Sequence, residues 1–324
     1  MSLPVIYGND NNLHFIQNMQ KNQRMPHACL FYGEKGSGRK TLANYFAMTA
    51  LCTNENAPCG ICKNCQKILK NAHPDFISVE HSGKKSGFSV ETVREICRDA
   101  IIAPNDSNQK IYLFTDCDAI SIPAQNTLLK LTEEPPEHVI LLFTAVSKNT
   151  FLGTMLSRMM QIAVLPCTPQ DCKNALMQKE YSVQDAEKAV ASTGGKNIGL
   201  ALAWLENPDF QEMTRQASAF TSAVAQRNQY EMLRILSGYE KDRIQAEKFL
   251  NLLLMQFRDA CMLRYDASVC LGCDMSSAQM LSQMLTPSKS LKLYQAVQTA
   301  YEALQANVSL KLILASLGGT LLLS

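Results

Sequence analysis

Residues 28–51 read ACLFYGEKGSGRKTLANYFAMTAL, and the order of features along this stretch decides the fold class. The apolar run ACLFY predicts a short buried strand, and the residues after the loop have the apolar spacing of a helix. The loop between them, GEKGSGRKT at 33–41, is close to the phosphate-binding consensus G-x-x-x-x-G-K-[ST]. A strand, a Gly-rich loop and a helix in this order predict an α/β core of the nucleotide-binding type.

The candidates for contact with a nucleotide are the loop residues Gly33, Gly36, Gly38, Arg39, Lys40 and Thr41. In register with the consensus, Arg39 replaces the phosphate-binding Lys and Lys40 replaces the hydroxyl residue that holds Mg²⁺. A register shifted by one residue would use Lys40 and Thr41, but it would require a longer loop. We therefore interpret the loop as degenerate, without productive ATP binding. Weak phosphate contact at the helix N-terminus stays open.

Strand and helix patterns alternate through the rest of the first half. Strands are predicted at 75–80, 110–118 and 139–146, and helices at 90–101 and 124–134. This alternation predicts a parallel sheet flanked by helices. From 169 to about 206 the segments are short and helical, and from about 208 onward only helical periodicity remains, with breaks near Gly238, Gly272 and Pro287. The C-terminal part is predicted to be all-α, with about five helices.

Bulk composition restricts the classes of protein that need to be considered. The 324 residues suffice for two or three domains, and a formal charge of +2 argues against strong non-specific nucleic-acid binding. The N-terminus does not read as a secretory signal, and the C-terminal run LKLILASLGGTLLL is too short to span a bilayer. Twelve cysteines without an export signal predict a cytoplasmic protein, with no membrane partner, whose thiols are ligands or core residues.

Cys52, Cys59, Cys62 and Cys65 form the pattern C-x6-C-x2-C-x2-C. Four thiolates at this spacing complete a tetrahedral zinc site, and an iron–sulfur cluster is the alternative. The surrounding loop is too polar to bury four thiols in a core of its own. Because the protein fills all four positions, no ligand position stays open for catalysis, and the predicted Zn²⁺ is structural.

Six stretches occur in one order: the Gly-rich loop, the cysteine group, HPDF at 73–76, VETVREI at 90–96, NTLLKLTEEPPEHV at 126–139 and LSR at 156–158. Together they closely resemble the clamp-loader subunits of bacterial DNA polymerase III, which belong to the AAA+ ATPase family. The resemblance covers at least residues 1–206, and the helical remainder suits the collar of that family. It implies an AAA+ core at 1–165 with a zinc module at 52–65, a helical lid at 166–207 and an oligomerising collar at 208–324.

The family contains motor subunits, gamma and tau, and a companion, delta prime, that does not drive the ring. Besides the altered loop, Thr115 stands where the motor subunits have a metal-binding carboxylate, and Gly199 stands where they have a phosphate-sensing Arg. Asp116 and Asp118 follow the same strand, and we expect them to cap the next turn. The resemblance therefore implies a subunit of the delta prime type, without ATPase activity of its own.

Ser157 and Arg158 match the Ser-Arg-Cys motif of the family, with Met159 in place of Cys. The resemblance implies that Arg158 is a catalytic arginine finger, supplied in trans to the nucleotide of a neighbouring subunit; an ordinary surface role is the alternative. The implied partners are gamma/tau and delta within the polymerase III holoenzyme, with the sliding clamp and primer-template DNA reached through the complex. An active gamma/tau-like ATPase and a zinc-stabilised DNA-binding module acting alone stay open as alternatives.

Overall fold

The computed structural model describes residues 3–79, 81, 88–265, 274–306 and 308–323. The chain divides into two compact units, Met1–Cys167 and Thr168–Ser324. The first unit is α/β, and the described part of the second is helical, as predicted. The predicted boundary between a lid and a collar at 207/208 stays a prediction. The predicted strand end at Glu80 and the predicted break at Gly272 lie outside the described residues.

Five parallel strands form one sheet in the first unit. They are β1 (Ala28–Tyr32), β2 (Phe76–Val79), β3 (Lys110–Phe114), β4 (Val139–Ala145) and β5 (Met160–Ala163). Their order across the sheet is β2-β3-β4-β1-β5, so β1 lies between β4 and β5. This sheet confirms the predicted parallel architecture and places the loop after β1 beside the ends of its two neighbours.

Among its described residues, the first unit contains six α-helices besides the strands. They are α1 (Asp10–Lys21), α2 (Arg39–Leu51), α3 (Lys63–Leu69), α4 (Val90–Asp99), α5 (Ile122–Glu133) and α6 (Gly153–Leu156). Ser89 and Ser121 cap α4 and α5, because each hydroxyl accepts a backbone N–H three residues later. Pro135 follows α5 closely, and proline cannot continue a helix.

Alternate side chains of the strands enter two cores on opposite faces of the sheet. From β1, Cys29 and Phe31 pack with α1, α2 and α3, whereas Leu30 packs with α4, α5 and α6. On the second face the rings of Phe114 and Phe143 stack with centroids 5.0 Å apart. Burial on both faces explains why the strands read as nearly continuous apolar runs.

The edge strand β5 was not predicted from the sequence. It pairs with β1 on one side, and asparagine side chains of the α1 region bind the backbone that follows it. The Asn9 amide exchanges two hydrogen bonds with the backbone of Leu165, at 3.0 and 2.9 Å, and Asn12 donates to the Ala163 carbonyl at 2.9 Å. These hydrogen bonds satisfy backbone N–H and C=O groups that an edge strand would otherwise leave unpaired.

Asp75, in the HPDF stretch, is completely buried and holds the loop before β3. Its carboxylate accepts backbone N–H groups of Asn105, Asp106 and Ser107 at 2.6, 2.7 and 2.9 Å, and the Ser107 hydroxyl at 2.9 Å. Burial raises the pKa of this carboxyl, but the hydrogen bonds outweigh burial and hold the pKa below its usual value.

Asp75→Asn is expected to destabilise the first unit by about 2–4 kcal/mol, because an amide has one acceptor oxygen and leaves buried N–H groups without a partner. The folded-state pKa of Asp75 is depressed, so its stabilising contribution is present above the unfolded pKa of about 4 and disappears as pH falls through the folded value. Urea unfolding from neutral to acid pH measures this. The difference between the two proteins should shrink with acid, and a constant difference would contradict the assignment.

The second unit contains nine helices among its described residues. They are α7 (Pro169–Gln178), α8 (Val183–Thr193), α9 (Ile198–Glu206), α10 (Pro208–Gln226), α11 (Gln229–Gly238), α12 (Arg243–Met262), α13 (Met275–Met284), α14 (Pro287–Gln305) and α15 (Leu310–Leu323). Six of them follow residue 207, so the expected five is wrong. One break falls at Arg227 and Asn228, where Arg227 adopts a positive φ of 56° without any Gly or Pro to signal it. Within the described part of the chain, no helix is long and apolar enough to cross a membrane.

Candidate functional site

The Gly-rich loop joins β1 to α2 and has the backbone conformation that its glycines allow. Gly38 is the N-cap of α2 with a φ of 95°, and Gly36 has a φ of 87°. Gly33 is needed for another reason, because a Cβ there would lie 2.7 Å from the Val164 carbonyl oxygen. The loop is therefore held closely against the chain that follows β5.

Helix α2 begins at Arg39, which fixes the register of the motif. Arg39 is the first helical residue and is buried, the next residue, Lys40, is exposed, and Thr41 is half-buried. The first turn contains no acidic residue, and Gly38 offers no side-chain cap. The positive end of the helix dipole and Lys40 together favour an anion here.

The buried side chain of Arg39 forms an ion pair with an aspartate that follows β3. Its side chain is 5% exposed, and Nη2 donates to Asp116 Oδ1 at 3.0 Å. Nη1 lies 3.8 Å from Asp118 Oδ2 and is a buried nitrogen without a hydrogen-bond partner among the described residues. A cation at the first position of a helix is opposed by the helix dipole, and the two carboxylates offset this.

The two aspartates do not cap the turn after β3, and that expectation was wrong. Asp116 stands at the N-cap position of the short turn Cys117–Ala119 with a φ of 49°, but its side chain makes no capping hydrogen bond. Its carboxylate reaches Arg39 instead. Asp118 Oδ1 accepts the backbone N–H of Val146 at 2.6 Å, so it fixes the turn after β4. Thr115, between β3 and this turn, brings no carboxylate to the strand end.

Arg158 lies between α6 and β5, and its guanidinium is held by three oxygens. Nη2 forms an ion pair with Glu133 Oε1 at 2.9 Å, and Nη1 donates to the Thr154 carbonyl at 2.6 Å and to Ser157 Oγ at 3.3 Å. Ser157 also donates to the Thr154 carbonyl, at 3.0 Å. With 37% of its side chain exposed, Arg158 is ordered and accessible at the same time.

The four cysteines of the predicted zinc module converge. The sulfurs of Cys52, Cys59, Cys62 and Cys65 all lie within 4.8 Å of one another, and those of Cys52 and Cys62 are 3.9 Å apart. Zn–S bonds of about 2.3 Å in a tetrahedron give S–S separations of about 3.8 Å, so the cluster has the size of a four-thiolate site. These four residues could hold a metal ion, which is consistent with structural zinc.

Backbone N–H groups donate to the sulfurs of two of these cysteines and favour their thiolate form. The Cys62 N–H donates to Cys59 Sγ at 3.3 Å, and the Cys65 N–H donates to Cys62 Sγ at 3.5 Å. Burial raises the pKa of the Cys62 thiol, but hydrogen bonds from the backbone of Cys65 and Thr53 lower it to about 6. Cys65 is fully buried, and burial raises its pKa. A bound cation would stabilise thiolates at both positions.

Comparison with known proteins identifies the family that carries these features. A family model described as "DNA polymerase III, delta subunit" matches residues 8–168. DNA polymerase III subunit delta' of Bacillus subtilis is 25% identical over 253 residues, which cover 76% of this chain and 75% of the relative. The delta' subunit of Pseudomonas aeruginosa is 32% identical over 139 residues, or 42% of each chain. The chain belongs to the DNA polymerase III clamp-loader family.

Relatives named as tau and gamma subunits are similar as well. The tau subunit of Bacillus subtilis is 27% identical over 276 residues, which cover 81% of this chain but 47% of that protein. A gamma-subunit-related protein of Thermotoga maritima is a solved structure with a TM-score of 0.48 and 15% identity, covering 95% of this chain and 98% of its own. The sequence relatives show a clamp-loader subunit related to delta' and to gamma/tau, and overall similarity does not assign the chain to one of the two types.

Within the first unit, the structure brings together several of the predicted site residues. The loop glycines, Arg39 and Asp116 meet at the ends of β1 and β3, and the four cysteines form one cluster. Gly199 lies in α9 of the second unit and contributes no side chain. Sequence reasoning missed Glu133, although an acid at the C-terminus of a helix opposes the helix dipole and thereby signals a cationic partner.

Proposed function

We propose that this chain is a clamp-loader subunit of the delta' type, which does not hydrolyse ATP and supplies Arg158 in trans to the nucleotide of a neighbouring subunit. The observation that carries the first half of the proposal is the ion pair between the buried Arg39 side chain and Asp116, whose own side chain is exposed. The guanidinium occupies the position of the phosphate-binding Lys, and its charge is already matched by this carboxylate.

Productive binding of Mg·ATP would require groups that this site does not provide. A working site uses a Lys ammonium on the β- and γ-phosphates and a hydroxyl on Mg²⁺. Here the hydroxyl position is Lys40, whose side chain is exposed, and the metal-carboxylate position is Thr115. Because α2 begins at Arg39, a register shifted to Lys40 and Thr41 would require the first helical residue to return to the loop.

The second half of the proposal, the supply of Arg158 to a neighbouring subunit, rests on the accessibility of its side chain. The planar guanidinium forms bidentate contacts with phosphate oxygens and keeps its charge at all relevant pH values. Ser157 and Arg158 resemble in sequence the Ser-Arg motif by which clamp-loader subunits complete the site of a neighbour, and Arg158 lies between α6 and β5. The Met in place of Cys at position 159 is buried and does not change the charge of the motif.

The proposed setting is a hetero-oligomeric ring with gamma/tau-type and delta-type subunits in the cytoplasm. The sliding clamp and primer-template DNA would be reached through this ring, and the second unit would supply the lid and the collar. Zn²⁺ in the four-cysteine site would be structural, because no ligand position is left for a substrate. The composition and the net charge of +2 favour this role over independent DNA binding.

Calorimetric titration of the purified chain with Mg·ATP, with phosphate release measured on the same sample, tests the proposed lack of ATPase activity. We expect neither heat of binding nor phosphate release, because Arg39 is paired with Asp116 and the Mg²⁺ ligands are replaced. A gamma/tau-type subunit from the same organism serves as the positive control. Micromolar binding with turnover would contradict the proposal and identify the chain as an active gamma/tau-like ATPase.

A further inference from the structure

The anchors of the Arg158 guanidinium differ in kind. Thr154 and Ser157 precede Arg158 in the same short segment, whereas Glu133 is the last residue of α5 and supplies the negative charge. Side chains of this pair are 37% and 43% exposed, so the carboxylate fixes the guanidinium without burying it. Glu133 is therefore the only acidic anchor of Arg158 among the described contacts.

Both ends of this ion pair belong to firmly packed backbone. Gln125 of α5 is buried and donates to the Thr150 carbonyl at 3.0 Å, while its Oε1 accepts the Leu152 N–H at 2.8 Å. Helix α5 is thereby fastened to the chain that leads into α6. Leu128 of α5 and Met155 of α6 are fully buried in the same core. The separation of Glu133 and Arg158 is thus set by the fold and not by chance contact of two surface side chains.

Not all N–H donors of the anchored Arg158 guanidinium are used by these contacts. Of its five N–H donors, two on Nη1 bind Thr154 and Ser157, and one on Nη2 binds Glu133. Among the described residues no group binds the Nε–H or the second Nη2 hydrogen, and both remain for the oxygens of a phosphate group. A guanidinium held on one side and open on the other has lost much of its rotational freedom before a partner arrives.

We propose that Glu133 is a positioning residue that orients Arg158 toward the triphosphate held by the neighbouring subunit. This inference rests on the proposed finger role of Arg158. An exposed ion pair alters an equilibrium by no more than about fivefold, whereas an arginine finger changes a rate by a factor on the order of 10³–10⁵. Glu133 is therefore too weak to withhold the finger from a phosphate, but strong enough to reduce the number of orientations that Arg158 explores.

A reconstituted ring tests the positioning role. The motor subunits, taken from the same organism, carry a substitution of their own Ser-Arg finger, so that Arg158 completes the single remaining site. Glu133→Ala is expected to lower kcat at this site about three- to fivefold and to leave KM for ATP unchanged, because orientation and not ground-state binding is lost. Glu133→Gln keeps an acceptor oxygen and is expected to retain at least half of the wild-type kcat.

Controls separate this inference from the function on which it rests. Glu134→Ala removes the adjacent exposed acid, which forms no ion pair among the described residues, and should change nothing. A kcat for Glu133→Ala equal to or above wild type would overturn the positioning role of Glu133. If kcat then falls only in Arg158→Ala, the finger role of Arg158 would still be supported. A wild-type kcat in Arg158→Ala would overturn the finger itself. A parallel loss in the Ala and Gln variants, with reduced thermal stability, would assign Glu133 a structural role instead.

Discussion

Arg158→Ala is expected to lower ATP hydrolysis at the adjoining motor site by a factor on the order of 10³ or more, without any change in the fold of this chain. In the proposed finger role the guanidinium would stabilise charge that develops on the transferred phosphoryl group, so the loss should appear in kcat and not in KM. The side chain is partly exposed and its ion pair contributes little to stability, so the variant should unfold at the wild-type temperature. The measurement is phosphate release from the ring in which Arg158 provides the single finger.

Two further variants make the interpretation of this loss specific. Arg158→Lys keeps the charge but removes the planar fork, so most of the loss should persist. Arg94 forms a comparable exposed pair with Glu91 on α4, at 3.5 Å, and Arg94→Ala serves as the matched control that should leave the rate unchanged. Equal rates for the wild type and for Arg158→Ala would show that Arg158 is an ordinary surface residue.

Local sequence patterns predicted the elements that depend on local interactions. The strand Ala28–Tyr32 and the helix that follows the Gly-rich loop lie where the pattern placed them, because apolar runs and helical periodicity are properties of neighbouring residues. Strand β5 escaped prediction because it is only four residues long and Gln161 interrupts its apolar residues. It is stabilised by pairing with β1 and by Asn9 and Asn12, all of which are distant in sequence.

The sequence did not predict which side chains pair with the site residues. Arg39 was recognised as a departure from the motif, but its pairing with Asp116 depends on β1 and β3 ending at the same edge of the sheet. The same holds for Glu133 and Arg158, which meet because α5 and α6 pack in one core. In both pairs one charge opposes the dipole of its own helix, a local signal that predicts a partner but not its identity.

Cys62→Ser is expected to unfold the segment from Cys52 to the end of α3 and to abolish metal binding by the four-cysteine cluster. Structural zinc contributes on the order of 10 kcal/mol to the folding of a site of this kind, and a hydroxyl at neutral pH does not replace a thiolate ligand. Residues 53–62 contain no helix or strand, so a metal ion held by the proposed site would be the main constraint on this stretch. Metal analysis, thermal unfolding and hydrogen exchange of residues 52–69 measure the effect.

Cys97 offers the matched control for this substitution. It is a half-buried free thiol on α4, whose sulfur lies 3.8 Å from the Thr127 carbonyl oxygen, outside the cluster. Cys97→Ser should keep the full metal content and lose little stability, because a hydroxyl can make the same hydrogen bond. The absorption spectrum of the wild type separates the two metal assignments, since a zinc site is colourless and an iron–sulfur cluster is coloured. Full zinc content and unchanged unfolding in Cys62→Ser would show that the four thiols converge without serving as one metal site.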